Sequence, residues 1–314
     1  MKIAVSGCLL GEQVRFDKGH KRDSFVMDEL SQYASFISFC PENIAFGAPR
    51  PSIRMVREEE QVHIISNKTG DNLTDVLLQY SNIELQKLQS HKLSAIIFKS
   101  KSPTCGLQSA KVFQTNGFAE SKGDGIFASL CKKEFAYLPM EEEGRLCDPW
   151  LRENFVMQIF AYDAFEQFKE NAHMKELVAF HESYKFLLQS KDENLYRKLG
   201  KLVGNQESLT FETLLQKYEN LFKLTISKKS SIGKTKNVLE HMSGFLKNFL
   251  NSEEKKMFHE QIEDYVAKIT PLILPLTTLK LYATKYNIQY LLGQKFLNPY
   301  PKELALRSDI KSTK

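Results

Sequence analysis

Cysteine, glutamate and serine stand at three short glycine- or proline-marked turns in the first third of the chain. Cys8 follows Gly7, Cys40 precedes Pro41-Glu42, and Cys105 precedes Gly106 within Ser100-Lys-Ser-Pro-Thr-Cys-Gly106. Each turn follows an apolar run, respectively Lys2–Ser6, Phe36–Phe39 and Ser94–Phe98, that reads as a buried strand. Parallel neighbouring strands would bring Cys8, Cys40 and Cys105 to one sheet edge, where open α/β sheets hold their ligands. Taken singly, a cysteine reads more readily as a small buried hydrophobe than as a ligand. Local pairs such as C-x2-C, the usual mark of structural zinc, are absent from the sequence. Three scattered thiolates fit an iron–sulfur cluster, and a 4Fe-4S cluster on three cysteines keeps one iron without a protein ligand. Such an iron can act as a Lewis acid.

Polar groups surround these turns. Glu42 and Ser102 are the candidate acid–base and orienting residues, a carboxylate in a partly dry site being suited to proton transfer. Glu42 also reads as a helix N-cap or surface charge. Arg15, Asp17, Arg22 and Arg50 lie on loops near the same edge, placed to bind an anion or a base edge, or to pair with one another. Cys131, inside an expected helix, and Cys147, in an expected link, read as structural. His20 leaves a Cys–His nucleophilic pair open. No HExxH pattern and no phosphate-loop pattern of the GxGxxG or GxxxxGK[ST] kind occurs.

The elements that must position these residues alternate short apolar runs with longer amphipathic ones over residues 1–139. Strands are expected at Lys2–Ser6, Phe36–Phe39, Val62–Ser66, Ser94–Phe98 and Phe135–Leu138. Helices are expected at Ser24–Tyr33, with Ser24 as N-cap, and at Asp71–Gln89 and Asp124–Lys133. The alternation predicts an α/β, Rossmann-like domain with a mostly parallel sheet. Pro139–Gly144 reads as a charged link. Asp148-Pro149 then starts an all-α region, with Asp148 as N-cap and Pro149 at the first helical position. The expected domains are 1–150, binding the cluster, and 151–314, helical.

Of 314 residues, 42% are hydrophobic and 26% charged, ordinary for a soluble globular chain. An odd count of 5 cysteines argues against a disulfide framework. With nothing like a signal peptide at the start, and no apolar run near the ~18 residues that span a membrane, the expected location is cytoplasmic. Charge is uneven. Residues 1–150 carry 18 Lys+Arg against 19 Asp+Glu, and residues 151–314 carry 25 against 19. The stretch 222–256 alone has 8 Lys and 3 Glu. Lys228, Lys229, Lys234, Lys236 and Lys247 are therefore candidate polyanion contacts, the alternative being a solvated face.

Ser6-Gly-Cys-Leu-Leu-Gly11 with Val14-Arg-Phe-Asp17, Cys40-Pro-Glu42 with Gly47-Ala-Pro-Arg50, and Lys101–Gly106 resemble the three signature loops of the thiouracil desulfidase family. The resemblance covers roughly residues 1–150. It implies a 4Fe-4S cluster on Cys8, Cys40 and Cys105, catalytic help from Glu42 and Ser102, and removal of sulfur from thiolated uracil without net redox chemistry. Leu199–Val203, Lys234–Gly244, Pro271–Leu276 and Asn298–Pro301 resemble the helical domain fused to desulfidases that act on 4-thiouridine in RNA. That fusion implies a tRNA partner, although Gly233-Lys-Thr-Lys236 is less basic than the matching run in relatives. Removal of sulfur from 4-thiouridine in tRNA, giving uridine and hydrosulfide, is the expected function. The alternatives are a desulfidase of free thiouracil or thionucleosides, an open-iron hydro-lyase, and a noncatalytic RNA-binding protein with a structural metal.

Overall fold

The computed structural model describes residues 1–204 and 208–309 and divides the chain into two compact units, Met1–Cys147 and Asp148–Lys314. In the first unit the expected mostly parallel sheet with helices is present. Strands β1 (Lys2–Ser6), β2 (Ser35–Phe39), β5 (Ala95–Phe98) and β8 (Met140–Glu142) form one sheet in the order β2-β1-β5-β8, parallel throughout. Its central strands are continuous apolar runs because both faces are covered: Ile3, Ala4, Val5, Ile96, Ile97 and Phe98 are buried. Phe39, Phe98 and Phe127 meet ring to ring at 5.0–6.4 Å. The chain leaves β1 toward β2 on one side and later returns to β5 on the other. The carboxyl ends around β1 are thus a topological switch point, where a crevice opens.

A second sheet was not expected. It orders β4 (Gln61–Ser66), β3 (Ile53–Glu58), β6 (Ala110–Gln114) and β7 (Ala119–Gly123), two antiparallel hairpins joined by the parallel β3–β6 pair. Met55, Ile64, Ala110 and Val112 pack with Leu77 beneath it. Leu77 belongs to α2 (Thr74–Gln89); α1 (Pro41–Phe46) and α3 (Ile126–Glu134) are the unit's other α-helices.

Three local expectations are corrected. The segment expected to be helical from Ser24 to Tyr33 is a π-helical turn, Phe25–Glu29, followed by a 3-10 turn, Leu30–Gln32. Its cap is Asp23, whose Oδ1 accepts from Val26 N at 2.9 Å, and Ser24 makes no cap bond. Phe135–Leu138 is not a strand, because α3 ends there with Phe135 N bonded back to Cys131 O. The last strand instead lies in Pro139–Gly144, where Ile96 N takes Pro139 O as β8 begins.

The second unit is helical, as expected. Asp148 caps α4 (Pro149–Lys169) by accepting from Trp150 N and Leu151 N, with Pro149 in the first turn. Then follow α5 (Met174–Lys191), α6 (Glu193–Val203), α7 (Phe211–Ser227), α8 (Ile232–Ser243), α9 (Ser252–Val266), α10 (Ile273–Lys285) and the short α11 (Gln289–Leu292). Phe165, Tyr218 and Phe222 stack in its core, and Phe180 meets Phe165 and Phe222 edge-on. Arg307, fully interior, ties the last described segment to α4 through Glu153 at 2.7 Å. Among the described residues, no helix is long and apolar enough to cross a membrane.

Candidate active site

At the carboxyl edge of the parallel sheet lies a cavity of about 360 Å3 lined by Cys8, Cys40 and Cys105 together with Glu42 and Ser102. Cys8 sits in the 3-10 turn Gly7–Leu10 that ends β1, Cys40 caps α1 directly after β2, and Cys105 follows β5 by seven residues. Strand order explains the convergence, since β1 is hydrogen-bonded to both β2 and β5 in parallel.

All five cysteines are free thiols. Burial pushes Cys8 up to about 11, against the opposing pull of Lys99 and Arg15. Burial likewise pushes Cys40 up to about 12, and it holds Cys105 well above the usual thiol range, reinforced by Cys40. Thiols of this kind are poor nucleophiles at neutral pH, and they ionise readily when a cationic metal centre takes them as ligands. His20 accepts from Arg22 N at 3.2 Å and does not line the cavity, so nothing here builds a Cys–His pair.

The donor set fits a cluster better than a single ion. A structural zinc takes four protein ligands in a tetrahedron, whereas the described cavity lining offers three thiols and no histidine. Three thiols facing one space suit a polynuclear iron–sulfur group. Cys131 is buried in α3 and Cys147 is exposed, and neither lines the cavity.

Glu42 is the carboxylate among the described lining residues. Its Oε1 accepts from Ser102 Oγ at 3.2 Å and its Oε2 from Arg50 Nη2 at 2.9 Å. Ser102 Oγ in turn accepts from Thr104 N and Cys105 N, both at 3.1 Å. One hydroxyl therefore orients Glu42 and sets the turn that presents Cys105. The turn is tight enough to require Gly106, where an added Cβ would lie 2.8 Å from Ser102 O.

The remaining loop residues separate into two groups. Arg15 lines the cavity. Arg50 lines it too, and its two terminal nitrogens are engaged: Nη2 holds Glu42, and Nη1 donates to Val14 O (2.9 Å) and Gly47 O (2.8 Å), from a side chain only 4% exposed, while its buried Nε has no partner. Asp17 and Arg22 do not line the cavity. Asp17 accepts from Gly19 N at 3.0 Å, which holds its carboxyl below the usual range, with Arg15 adding to the effect. Arg22 pairs with Asp28 at 2.5 Å.

Several supporting residues escaped the sequence reading. Glu84, on α2 and almost fully buried, accepts from Cys40 N at 3.1 Å. Glu143 accepts from Ser100 N (2.6 Å), from Ser100 Oγ (2.8 Å) and from Lys99 Nζ. Glu142 accepts from Leu107 N (2.5 Å) and from Ser109 Oγ. The acidic run read as a link is thus an edge strand whose carboxylates clamp both ends of the Cys105 loop. Burial raises the pKa of Glu142 above the usual carboxylate range, an effect that Ser109 and Leu107 oppose.

In the helical unit, Lys228, Lys229 and Lys247 are exposed. Lys229 lies over the Trp150 ring at 5.6 Å. Lys234 Nζ donates to Lys191 O at 2.6 Å, and Lys236 pairs with Glu263 at 2.6 Å. These last two lysines are engaged within the unit.

Residues 3–143 match the family model described as 2-thiouracil desulfurase, and residues 185–301 match one described as a protein of unknown function, DUF1722. The uncharacterized protein YbgA of Escherichia coli (strain K12) is 25% identical over 154 residues, covering 48% of this chain and 91% of that protein. The uncharacterized protein YbbK of Bacillus subtilis (strain 168) is 25% identical over 140 residues, covering 42% of this chain and 89% of that protein. Among solved structures, a 4Fe-4S-dependent thiouracil desulfidase, TudS, is 26% identical and covers 46% of this chain and 93% of its own, with a TM-score of 0.38. The chain thus joins an N-terminal 2-thiouracil desulfurase domain to a C-terminal DUF1722 region.

Proposed function

We propose that this chain is an iron–sulfur-dependent desulfidase that replaces the sulfur of a thiolated uracil by oxygen without net redox change, and that it meets the base as 4-thiouridine in tRNA. The observation that carries the reading is the sharing of one cavity by three thiols, Cys8 and Cys105 buried and Cys40 half-buried, and the hydrogen-bonded Glu42–Ser102 pair. Cys8, Cys40 and Cys105 would hold a 4Fe-4S cluster whose fourth iron has no protein ligand; when bound, it would supply Lewis-acid polarisation of the C–S bond.

The chain's own groups account for the proton and the water. Glu42 Oε1 takes a proton from the water that attacks the ring carbon, while Arg50 holds the opposite carboxylate oxygen in place. Ser102 Oγ, within hydrogen-bond reach of Glu42, orients that water. Collapse of the adduct gives the carbonyl, and sulfur leaves as hydrosulfide, so atoms and electrons balance with water as the co-reactant. The ring must leave its stack in a folded RNA to reach a sheet-edge cavity. In support of an RNA substrate, the helical half is basic, Lys228, Lys229 and Lys247 face solvent, and Arg15, Lys21 and Lys101 line the cavity.

A second reading, a desulfidase of free thiouracil, is favoured by two observations. The matched family description names 2-thiouracil, and the internal bonds of Lys234 and Lys236 remove two cations from the expected RNA face. Anaerobically reconstituted protein should be given thiouracil, 4-thiouridine and thiolated tRNA, with loss of the thiobase absorbance and release of sulfide followed. The leading reading expects thiolated tRNA to be turned over with the highest kcat/KM. Preference for the free base moves the substrate to the second reading, and no turnover of any of the three by iron-loaded protein overturns the desulfidase assignment.

A further inference from the structure

Phe16 lines the same cavity as the three thiols, yet its side chain is not packed away: the residue is 41% exposed. Phe39, the other aromatic residue on the cavity lining, is closed inside the sheet core at 1% exposure. Phe16 is therefore the aromatic ring among the described lining residues with open surface to offer. Its backbone is fixed. Phe16 O accepts from Arg50 N at 3.0 Å, and the preceding Val14 O accepts from Arg50 Nη1 at 2.9 Å. The turn beyond it closes through Lys18 N to Arg15 O (3.0 Å), Arg15 N to Gly19 O (3.3 Å) and Gly19 N to Asp17 Oδ1 (3.0 Å). The Arg15 guanidinium lies 5.4 Å from the Phe16 ring centroid.

An exposed ring on a mobile loop would be unremarkable, since single exposed apolar side chains are common. A ring carried on a loop that five hydrogen bonds hold, at the wall of a polar, cation-bearing cavity, has a fixed backbone, and such preorganisation lowers the ordering cost of binding. Aromatic side chains stack on any nucleobase because every base presents a π face. An arginine beside the ring adds attraction for an electron-rich heterocycle or a neighbouring phosphate.

We propose that Phe16 is the stacking surface for the heterocycle of the substrate, with Arg15 flanking it. This rests on the reading of the substrate as a thiolated pyrimidine. Phe16 takes no part in bond breaking. It contributes to binding, and it discriminates flat aromatic rings from aliphatic thiocarbonyl or thioamide compounds.

The test uses the full, iron-loaded chain. Phe16→Ala and Phe16→Leu should raise KM for the thiolated pyrimidine by roughly 5- to 150-fold, the size of one ring-stacking contact. Their kcat should stay within about threefold and their iron content should be unchanged, while Phe16→Tyr should behave as wild type. Uracil, as a competitive ligand, should weaken in parallel. A Phe16→Leu protein with wild-type KM, or one that loses kcat and keeps KM, overturns the proposal. If wild-type protein desulfurates no thiopyrimidine, the functional reading fails separately. Equilibrium binding of uracil to wild type and Phe16→Leu then decides the matter: binding weakened in the variant sustains the stacking role, and equal or undetectable binding in both overturns it.

Discussion

Replacing Arg50 by Met should destabilise the first unit far more than an ordinary loop substitution. The guanidinium makes three hydrogen bonds, to Glu42 Oε2, Val14 O and Gly47 O, from a side chain that is 4% exposed. Removing one partner of a buried ion pair costs about 3–5 kcal/mol, because the other charge is left uncompensated. Glu42 retains 16% exposure, so water recovers part of this and the lower end, about 3 kcal/mol, applies. The two carbonyls add about 1 kcal/mol each. The sum, about 5 kcal/mol, corresponds to a fall in Tm of roughly 10–20 °C for a domain of this size. A double-mutant cycle with Glu42→Gln isolates the pair. If the two groups stabilise each other, the double variant is less damaged than the two single losses added, with a coupling of at least about 1 kcal/mol. Thermal melts of the four proteins supply the numbers. Additive losses, or an Arg50→Met protein that melts as wild type, would refute the assignment of Arg50 as the residue that holds Glu42 and the Val14–Phe16 turn.

Glu42→Gln should keep the iron and slow turnover by about 100-fold or more, the usual scale of acid–base help, measured as kcat on the thiolated substrate; a rate near wild type would remove the proton-transfer role. Lys191 is fully buried, and burial lowers it to about 7, against the pull of Glu153 and with Arg307 adding to the depression. Because the folded chain releases this proton while the unfolded chain holds it up to the ordinary lysine range near 10.5, Lys191 opposes folding below about pH 7 and ceases to do so as pH rises toward 10. Lys191→Met should therefore raise Tm relative to wild type at pH 6, with the advantage shrinking by pH 10; an advantage independent of pH would contradict a buried, titrating lysine. Replacing Lys228, Lys229 and Lys247 together by Ala should flatten the salt dependence of tRNA binding by about three units, one for each phosphate contact, as read from titrations across ionic strengths. An unchanged slope makes these lysines a solvated face.

The parallel sheet was legible because its strands are uninterrupted apolar runs buried on both faces, Ile3–Val5 and Ala95–Phe98 above all. The cysteine turns were legible because glycine and proline mark where such strands end. The second sheet was not, since Ile53–Glu58 and Ala110–Gln114 alternate apolar residues with Arg54, Arg57 and Lys111 and carry no strong local signal. Met140–Glu142 was misread as a link because two of its three residues are carboxylates, which strands disfavour. The hydrogen bonds of Glu142 and of Glu143, just past the strand, reach residues 33 to 44 positions away in sequence. The same distance hides the task of Arg50, which by type reads as an anion binder. Only the fold reveals that its two terminal nitrogens already face Glu42 and two carbonyls.

The central claim is that Cys8, Cys40 and Cys105 together hold an iron–sulfur cluster that works on a thiolated uracil. Its most direct test is iron and acid-labile sulfide per chain, measured on anaerobic wild type and on Cys8→Ala, Cys40→Ala and Cys105→Ala, alongside release of hydrosulfide from the thiolated base. About four irons and four sulfides in wild type are expected, with both the cluster and hydrosulfide release lost in each variant and retained in Cys131→Ser and Cys147→Ser. A Cys105→Ala protein that keeps its iron and still releases hydrosulfide would contradict the claim.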